Sequence, residues 1–252
     1  MSDRPQTPAN HPEQLRRRAL AAAPGSPWVT YYDAATGSRV ELSAATLDNW
    51  VAKAGNLLVE EYDVGPGSVV GIELPCHWLL HVWTWSAWAV GATVALPATW
   101  HDADVVIGTM ATAGGSAAAA PVLVCPTDPL ARPLGGRTPP GAVDVMADVH
   151  TYPDAIALPT PDPAAIAVRS ADGGLTGADA VDLARELLPS GTRRVLVTEP
   201  PTTVAALLAA TLSGAAAGGS TVLVAGAPGS EELDRIADQE GVDARLGNQH
   251  RP

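Results

Sequence analysis

The sequence predicts an α/β fold: two subdomains in which strand and helix alternate, with mostly parallel sheets covered by helices. Two observations lead there. Runs such as Ser68-Val-Val-Gly-Ile-Glu-Leu74 and Thr221-Val-Leu-Val224 are apolar nearly throughout, the pattern of strands buried on both faces. Between them lie stretches with apolar residues three and four apart, long enough to carry the chain back over a sheet to a parallel neighbour.

Residues 1–12 are polar, with Pro5, Pro8 and Pro12, and are expected to form a disordered tail. A helix should follow from about Glu13 to Ala23, stopped by Pro24-Gly25. Trp28-Val-Thr-Tyr-Tyr-Asp33 and Arg39-Val-Glu-Leu42, separated by Ala34-Ala-Thr-Gly-Ser38, read as a β-hairpin. Ser43 then caps a helix whose Leu47, Trp50, Val51, Ala54, Leu57 and Leu58 share one face, while Asp48, Lys53 and Glu60 fall elsewhere. Val64-Gly-Pro-Gly67 ends it.

The strand at 68–74 is closed by Pro75. Cys76 to Val90 reads as a second helix, Gly91-Ala-Thr-Val-Ala-Leu96 as a strand, and Ala103 to Gly108 as another. Val122-Leu-Val-Cys125 has strand composition, whereas Asp128 to Pro140 and Pro153 to Pro163 are Pro- and Gly-rich loops, placing a boundary near 160 between subdomains at 13–160 and 161–252. The second subdomain then reads as strand Ala165–Val168, a glycine turn, helix Ala178–Leu188, strand Arg194–Thr198, helix Thr203–Ala217, strand Thr221–Val224 and helix Glu231–Gln239.

Charge excludes one partner class. With 27 acidic against 15 basic residues the chain carries a formal charge of −12, which repels phosphate backbones, and Arg16-Arg17-Arg18 is too short a basic cluster to offset it. A membrane partner is not expected either: the apolar stretch Trp78 to Leu96 is interrupted by His81, Thr84, Ser86, Gly91 and Thr93. The N-terminus lacks the apolar core of a secretion signal, so a cytoplasmic location is expected. Cys76 and Cys125 lack metal-type spacing and suit a reducing compartment. The composition, rich in Ala, Gly, Pro and Arg, resembles the codon bias of a GC-rich genome. There is no Phe and one lysine, Lys53, so chemistry that needs a lysine has no other.

Candidate chemistry is sparse. His77 and His81, four apart beside Cys76, could face a metal, but the surrounding Trp78, Leu79, Leu80, Val82, Trp85 and Trp88 describe a helix inside a crowded core, and no metal is expected. Cys125 with His150 lacks the setting of a nucleophile, and neither Ser170 nor Ser190 sits in a Gly-x-Ser-x-Gly elbow. Arg169-Ser-Ala-Asp-Gly-Gly-Leu-Thr-Gly177 lies between a strand and a helix, where backbone amides can hold phosphate. Ser170, Gly173, Gly174 and Thr176 are its candidate binding residues, although an ordinary turn explains the glycines equally well.

The order of these segments resembles the N-terminal part of the adenylate-forming superfamily, which includes acyl-CoA synthetases, luciferases and nonribosomal peptide adenylation domains. The residues that carry the likeness are Trp28 to Asp33, Leu42-Ser-Ala-Ala-Thr-Leu47, Gly65-Pro-Gly-Ser-Val-Val-Gly-Ile-Glu-Leu-Pro75 and Ala87-Trp-Ala-Val-Gly-Ala-Thr-Val94. Arg194 to Thr203 and Gly218 to Val224 look like the segments that follow the family's phosphate loop. The resemblance implies a fold built for activating a carboxylate with Mg-ATP, in enzymes about twice this length, and hence a truncated relative.

The family's loop is rich in Ser, Thr and Gly and ends in Pro-Lys-Gly. Here Ser170 and Gly174 match, Asp172 stands in a Thr position and Gly177 in the Lys position. A lost lysine and a gained carboxylate disfavour triphosphate, the latter by on the order of 1 kcal/mol or more at a few ångströms. Thr203 stands where the family commonly has a His or aromatic residue beside its acyl pocket, and the resemblance makes Thr202 and Thr203 the candidate pocket residues. The expectation is a pseudoenzyme with no catalytic residues and no cofactor, binding a small acyl or nucleotide-like ligand or a protein partner. The alternatives are an adenylation or acyl-CoA ligase-type enzyme completed by another chain, which would use Mg-ATP, and a structural or regulatory α/β protein.

Overall fold

A computed structural model describes residues 10–115, 120–159, 162–171 and 173–247. The tail expected at 1–12 lies outside them up to residue 9, as does Asp172. The helix expected at Glu13 spans Pro12–Ala22 (α1), its first turn capped by His11, whose Nδ1 accepts from the Glu13 amide at 3.1 Å.

The hairpin forms as expected, β1 (Pro27–Asp33) against β2 (Ser38–Ser43). Ser43 caps α2 (Ala44–Tyr62) by accepting from the Thr46 amide. β3 (Val69–Ile72), α3 (Trp78–Ala89), β4 (Thr93–Ala95) and β5 (Val105–Gly108) follow, then α4 (Met110–Gly115) and β6 (Val122–Val124). Between the two stretches expected as loops, at 141–152, lie β7 (Ala142–Asp144) and α5 (Val145–Asp148). Then come β8 (Ile166–Ser170), β9 (Gly173–Thr176), α6 (Gly177–Glu186) and β10 (Arg194–Val197). The helix expected over 203–217 is broken at Leu212 into α7 (Val204–Thr211) and α8 (Ser213–Ala216). β11 (Ser220–Ala225), α9 (Ser230–Glu240) and β12 (Ala244–Leu246) end the described chain.

Two sheets organise these strands. One runs β12-β10-β11-β1-β2 and the other β7-β6-β5-β3-β4-β8-β9, parallel except at the β1–β2 and β8–β9 hairpins. The boundary expected near 160 does not divide them. The N-terminal hairpin joins the sheet of β10–β12, and β8–β9 extends the sheet of β3–β7, so each sheet draws on both halves of the chain. The physical reason is pairing: Val29 to Asp33 register in parallel with Thr221 to Ala225, a long-range ladder no local composition shift marks.

The helices α2, α3, α6, α7 and α8 lie between the sheets. One core cluster joins Val29 and Tyr31 of β1 and Leu223 of β11 to Val70, Val94, Ile107 and Val168 of the other sheet. Its centre is α3, whose twelve residues are all buried. Outside, α9 packs Ile236 and Ala237 on Tyr32, Leu196, Val222 and Val224, while α4 and Trp100 flank Val106, Val122 and Val124. No helix among the described residues is long and apolar enough to cross a membrane.

Glu240, at the end of α9, fastens that helix to three strands. Its carboxylate accepts from the Tyr32 hydroxyl at 2.5 Å and Arg39 Nε at 2.9 Å, and pairs with Arg194. Burial alone would raise its pKa, but the hydrogen bonds from Arg39, Tyr32 and Arg194 outweigh that and lower it from 4.5 to about 2. A depressed carboxyl stabilises the fold above its unfolded pKa and ceases to as it protonates. Acidification from about 4.5 to about 2 should therefore remove on the order of 2 kcal/mol, allowing for screening by water. Urea midpoints measured down this range should fall more for the native chain than for Glu240→Gln; parallel decline in both would assign the acid sensitivity elsewhere.

Candidate functional site

Strand order creates the site. From β3 the chain leaves through α3 to β4 on one side, and from β5 it leaves through α4 to β6 on the other. Where neighbouring parallel strands send their connections apart, a crevice opens beyond their carboxyl ends. A depression of about 830 Å³ lies there, lined by Ile72 at the end of β3 and Glu73 and Leu74 after it, Pro97 and Trp100 after β4, and Thr109 and Thr112 after β5. Pro200, Pro201 and Thr202, which follow β10 of the other sheet, close its far wall.

Local contacts hold these walls. The Glu73 amide donates to Ile107 O at 2.9 Å, carrying the β3–β5 ladder into the crevice. Gly71 of β3 leaves room for the Trp100 indole, since a Cβ there would meet Trp100 Cε3 at 2.7 Å. Thr112 Oγ1 accepts from the Thr109 amide at 3.0 Å and fixes the start of α4. Cys76 Sγ donates to Glu199 O at 3.2 Å, tying the segment after β3 to the segment after β10. Burial and the Glu199 charge push this thiol up to about 12, so it is a packing group and not a thiolate.

The residues singled out from the sequence fall in several places. Thr202 lines the crevice, its amide bonded to Pro200 O, whereas Thr203 caps α7 by accepting from the Ala206 amide at 3.1 Å. Ser170 pairs with Gly173, and Arg169 with Gly174, in the β8–β9 hairpin, leaving only positions 171 and 172 between the strands. Gly173 and Gly174 face a separate groove of about 490 Å³ with Arg169 and His101. Thr176 caps α6 in a reciprocal box with Asp179.

The start of α6 has its amides committed. Gly177 N donates to Ala165 O at 2.9 Å, Ala178 N to Pro163 O at 3.1 Å and Asp179 N to Thr176 Oγ1 at 3.1 Å. The Asp179 carboxylate adds a negative charge at the same end. At Gly177, the position matched to the family's lysine, the His11 ring fills the space a side chain would take.

The other candidates are core residues. His77 caps α3, accepting from the Leu79 amide at Nδ1 and donating from Nε2 to Asp128 O; His81 bonds Ala210 O at 2.7 Å. Burial pushes both imidazoles down to about 4. Among the described residues no cluster of three or more His, Cys, Asp or Glu side chains could hold a metal ion. Cys125 is buried, which raises its thiol pKa, and His150 stacks edge-on with Trp50.

Comparison with known proteins places the chain. No protein-family model matches it. A TIGR03089 family protein of Mycobacterium tuberculosis is 38% identical over 180 residues, which are 64% of this chain and 73% of the relative. The chain belongs to the TIGR03089 family. Its fold matches the crystal structure of the Brucella canis acyl-CoA synthetase with a TM-score of 0.73 at 17% identity, over 97% of this chain and 48% of that one. The TIGR03089 chain thus has the adenylate-forming fold expected from its segment order, and spans about half the length of the synthetase.

Glu73, Trp100, Thr109 and Thr112 were not among the sequence candidates. Glu73 falls within the strand expected at 68–74 and the others follow expected strands, and the missing signal was the strand order that turns those ends toward one another.

Proposed function

We propose that this TIGR03089 family member is a non-activating relative of the adenylate-forming enzymes that holds a small, mainly apolar ligand in the crevice beyond β3, β4 and β5. The observation that carries the reading is the state of the α6 N-terminus. Triphosphate binding by a loop of this kind draws on unpaired amides and a cation. Here the first three amides of α6 bond to Ala165 O, Pro163 O and Thr176 Oγ1, a carboxylate sits among them, and His11 covers the lysine position. The residues present do not fit Mg-ATP. The crevice, by contrast, offers Ile72, Leu74, four prolines and the Trp100 ring, walls suited to an acyl chain or similar apolar body. A cytoplasmic location accords with two buried free cysteines.

A second reading draws on coverage. The chain matches 48% of a synthetase, so an adenylation enzyme whose nucleotide-binding remainder comes from another polypeptide would also carry this fold. Calorimetry separates the two. The purified chain should give no saturable heat with Mg-ATP and no ATP–pyrophosphate exchange with a panel of carboxylic acids. It should bind 4-phenylbutanol, and Ala111→Trp, at an exposed place in the crevice wall, should abolish that binding. Saturable Mg-ATP binding with exchange would put the enzyme reading first.

A further inference from the structure

We infer that the ligand of this crevice is a cation, an ammonium group on an apolar body, recognised by Glu73. The inference rests on the crevice reading above and adds the chemistry of the ligand's polar end. Among the described residues, Glu73 is the one ionisable side chain in the lining. It is exposed there, while its amide is held in the ladder to Ile107 O, so the carboxylate is carried on a fixed backbone. No side chain among the described residues pairs with it.

The surroundings favour a positive charge and oppose a negative one. Arg169, on β8 beside β4, is committed to Asp102 and to Thr99 O at 3.3 Å and faces the other groove. A carboxylate or phosphate in the crevice would meet Glu73 with no cation to offset it. An ammonium would meet a carboxylate at one end and the Trp100 ring as a wall, an arrangement that attracts cations through charge and through the ring quadrupole. Glu199, which precedes the Pro200–Pro201 wall and whose backbone carbonyl accepts from Cys76, and the net charge of −12 add to the same field. The remaining polar lining, Thr109, Thr112 and Thr202, is neutral.

Three probes that share one skeleton test this on the intact chain: 4-phenylbutylamine, 4-phenylbutanol and 4-phenylbutanoate, titrated calorimetrically at pH 7. The amine should bind at least about tenfold more tightly than the alcohol, with the butanoate weakest, and Glu73→Gln should bring the amine to the level of the alcohol. Glu73 is exposed, so the isosteric variant should fold, and its unfolding midpoint checks that. An amine no tighter than the alcohol, a preference for the butanoate, or an amine preference that survives Glu73→Gln would overturn the cationic assignment and leave the crevice reading standing. Absence of heat from all three probes would overturn the crevice reading and this inference with it.

Discussion

Replacing Trp85 with alanine should destabilise the protein by about 4–5 kcal/mol, the largest loss expected from any single truncation here. Trp85 is fully buried at the middle of α3. Its ring meets Trp28 of β1 edge-on at 5.0 Å and Trp88 at 5.3 Å, contacts that add to the area buried. Its Nε1 donates to Thr211 O at 3.2 Å, so one side chain links α3 to a strand of the first sheet and to α7. Truncation leaves a cavity between two sheets whose strands cannot close independently, and orphans a buried carbonyl. Typical domains hold only about 5–15 kcal/mol in total, so the variant should be largely unfolded on warming. Urea denaturation followed by circular dichroism measures it; a loss below about 2 kcal/mol would mean that the helical layer repacks. Trp85→Phe should retain part of the loss, because the ring contacts survive in part while the hydrogen bond does not.

The same helix shows what a sequence makes legible. Twelve consecutive buried residues leave no polar face, and Trp78, Trp83, Trp85 and Trp88 with His81 and Ser86 between them still identify a buried helix: Trp88 Nε1 bonds Ala167 O, His81 Nε2 bonds Ala210 O and Ser86 Oγ bonds Val82 O, while Trp83 Nε1 and Thr84 Oγ1 are buried with no hydrogen-bond partner among the described residues. Local pattern is sufficient there. It is not sufficient for β7, β9 and β12, three- or four-residue edge strands whose residues are partly exposed and whose existence depends on the partner ladder. The same non-local dependence hid the crevice. Glu73 reads as one polar residue in an apolar strand until β5 is known to lie beside β3 and to send its helix the other way. The phosphate-loop candidates read as a glycine turn between strand and helix, whereas Gly173–Thr176 form β9, and that the α6 amides donate to Ala165 O and Pro163 O depends on how the chain enters β8.

Removing Arg16 should cost about 3 kcal/mol, although it lies on a short helix near the N-terminus. Glu13 is 1% exposed and Arg16 5%. The guanidinium bonds both carboxylate oxygens of Glu13 at 2.7 Å and reaches Asp48 of α2. Arg16→Ala leaves Glu13 buried with Arg17 Nε, at 2.6 Å, as its remaining cation. Desolvating a half-paired carboxylate is what makes the loss large, and Arg17→Ala, which removes an exposed partner, should cost under about 1 kcal/mol. The double change Glu13→Leu with Arg16→Met separates charge from packing: it removes both buried ions together and should return to within about 1 kcal/mol of the native chain. If instead the double variant is as weak as Arg16→Ala, the bond to Asp48 is the element that matters, and α1 is held through α2. Either result bears on the α6 N-terminus, because the helix anchored by Arg16 is the one whose cap, His11, lies over Gly177. A loosened α1 uncovers the position matched to the lysine, yet the first amides of α6 stay bonded to Ala165 O, Pro163 O and Thr176 Oγ1, so Arg16→Ala should gain no affinity for Mg-ATP while it loses stability.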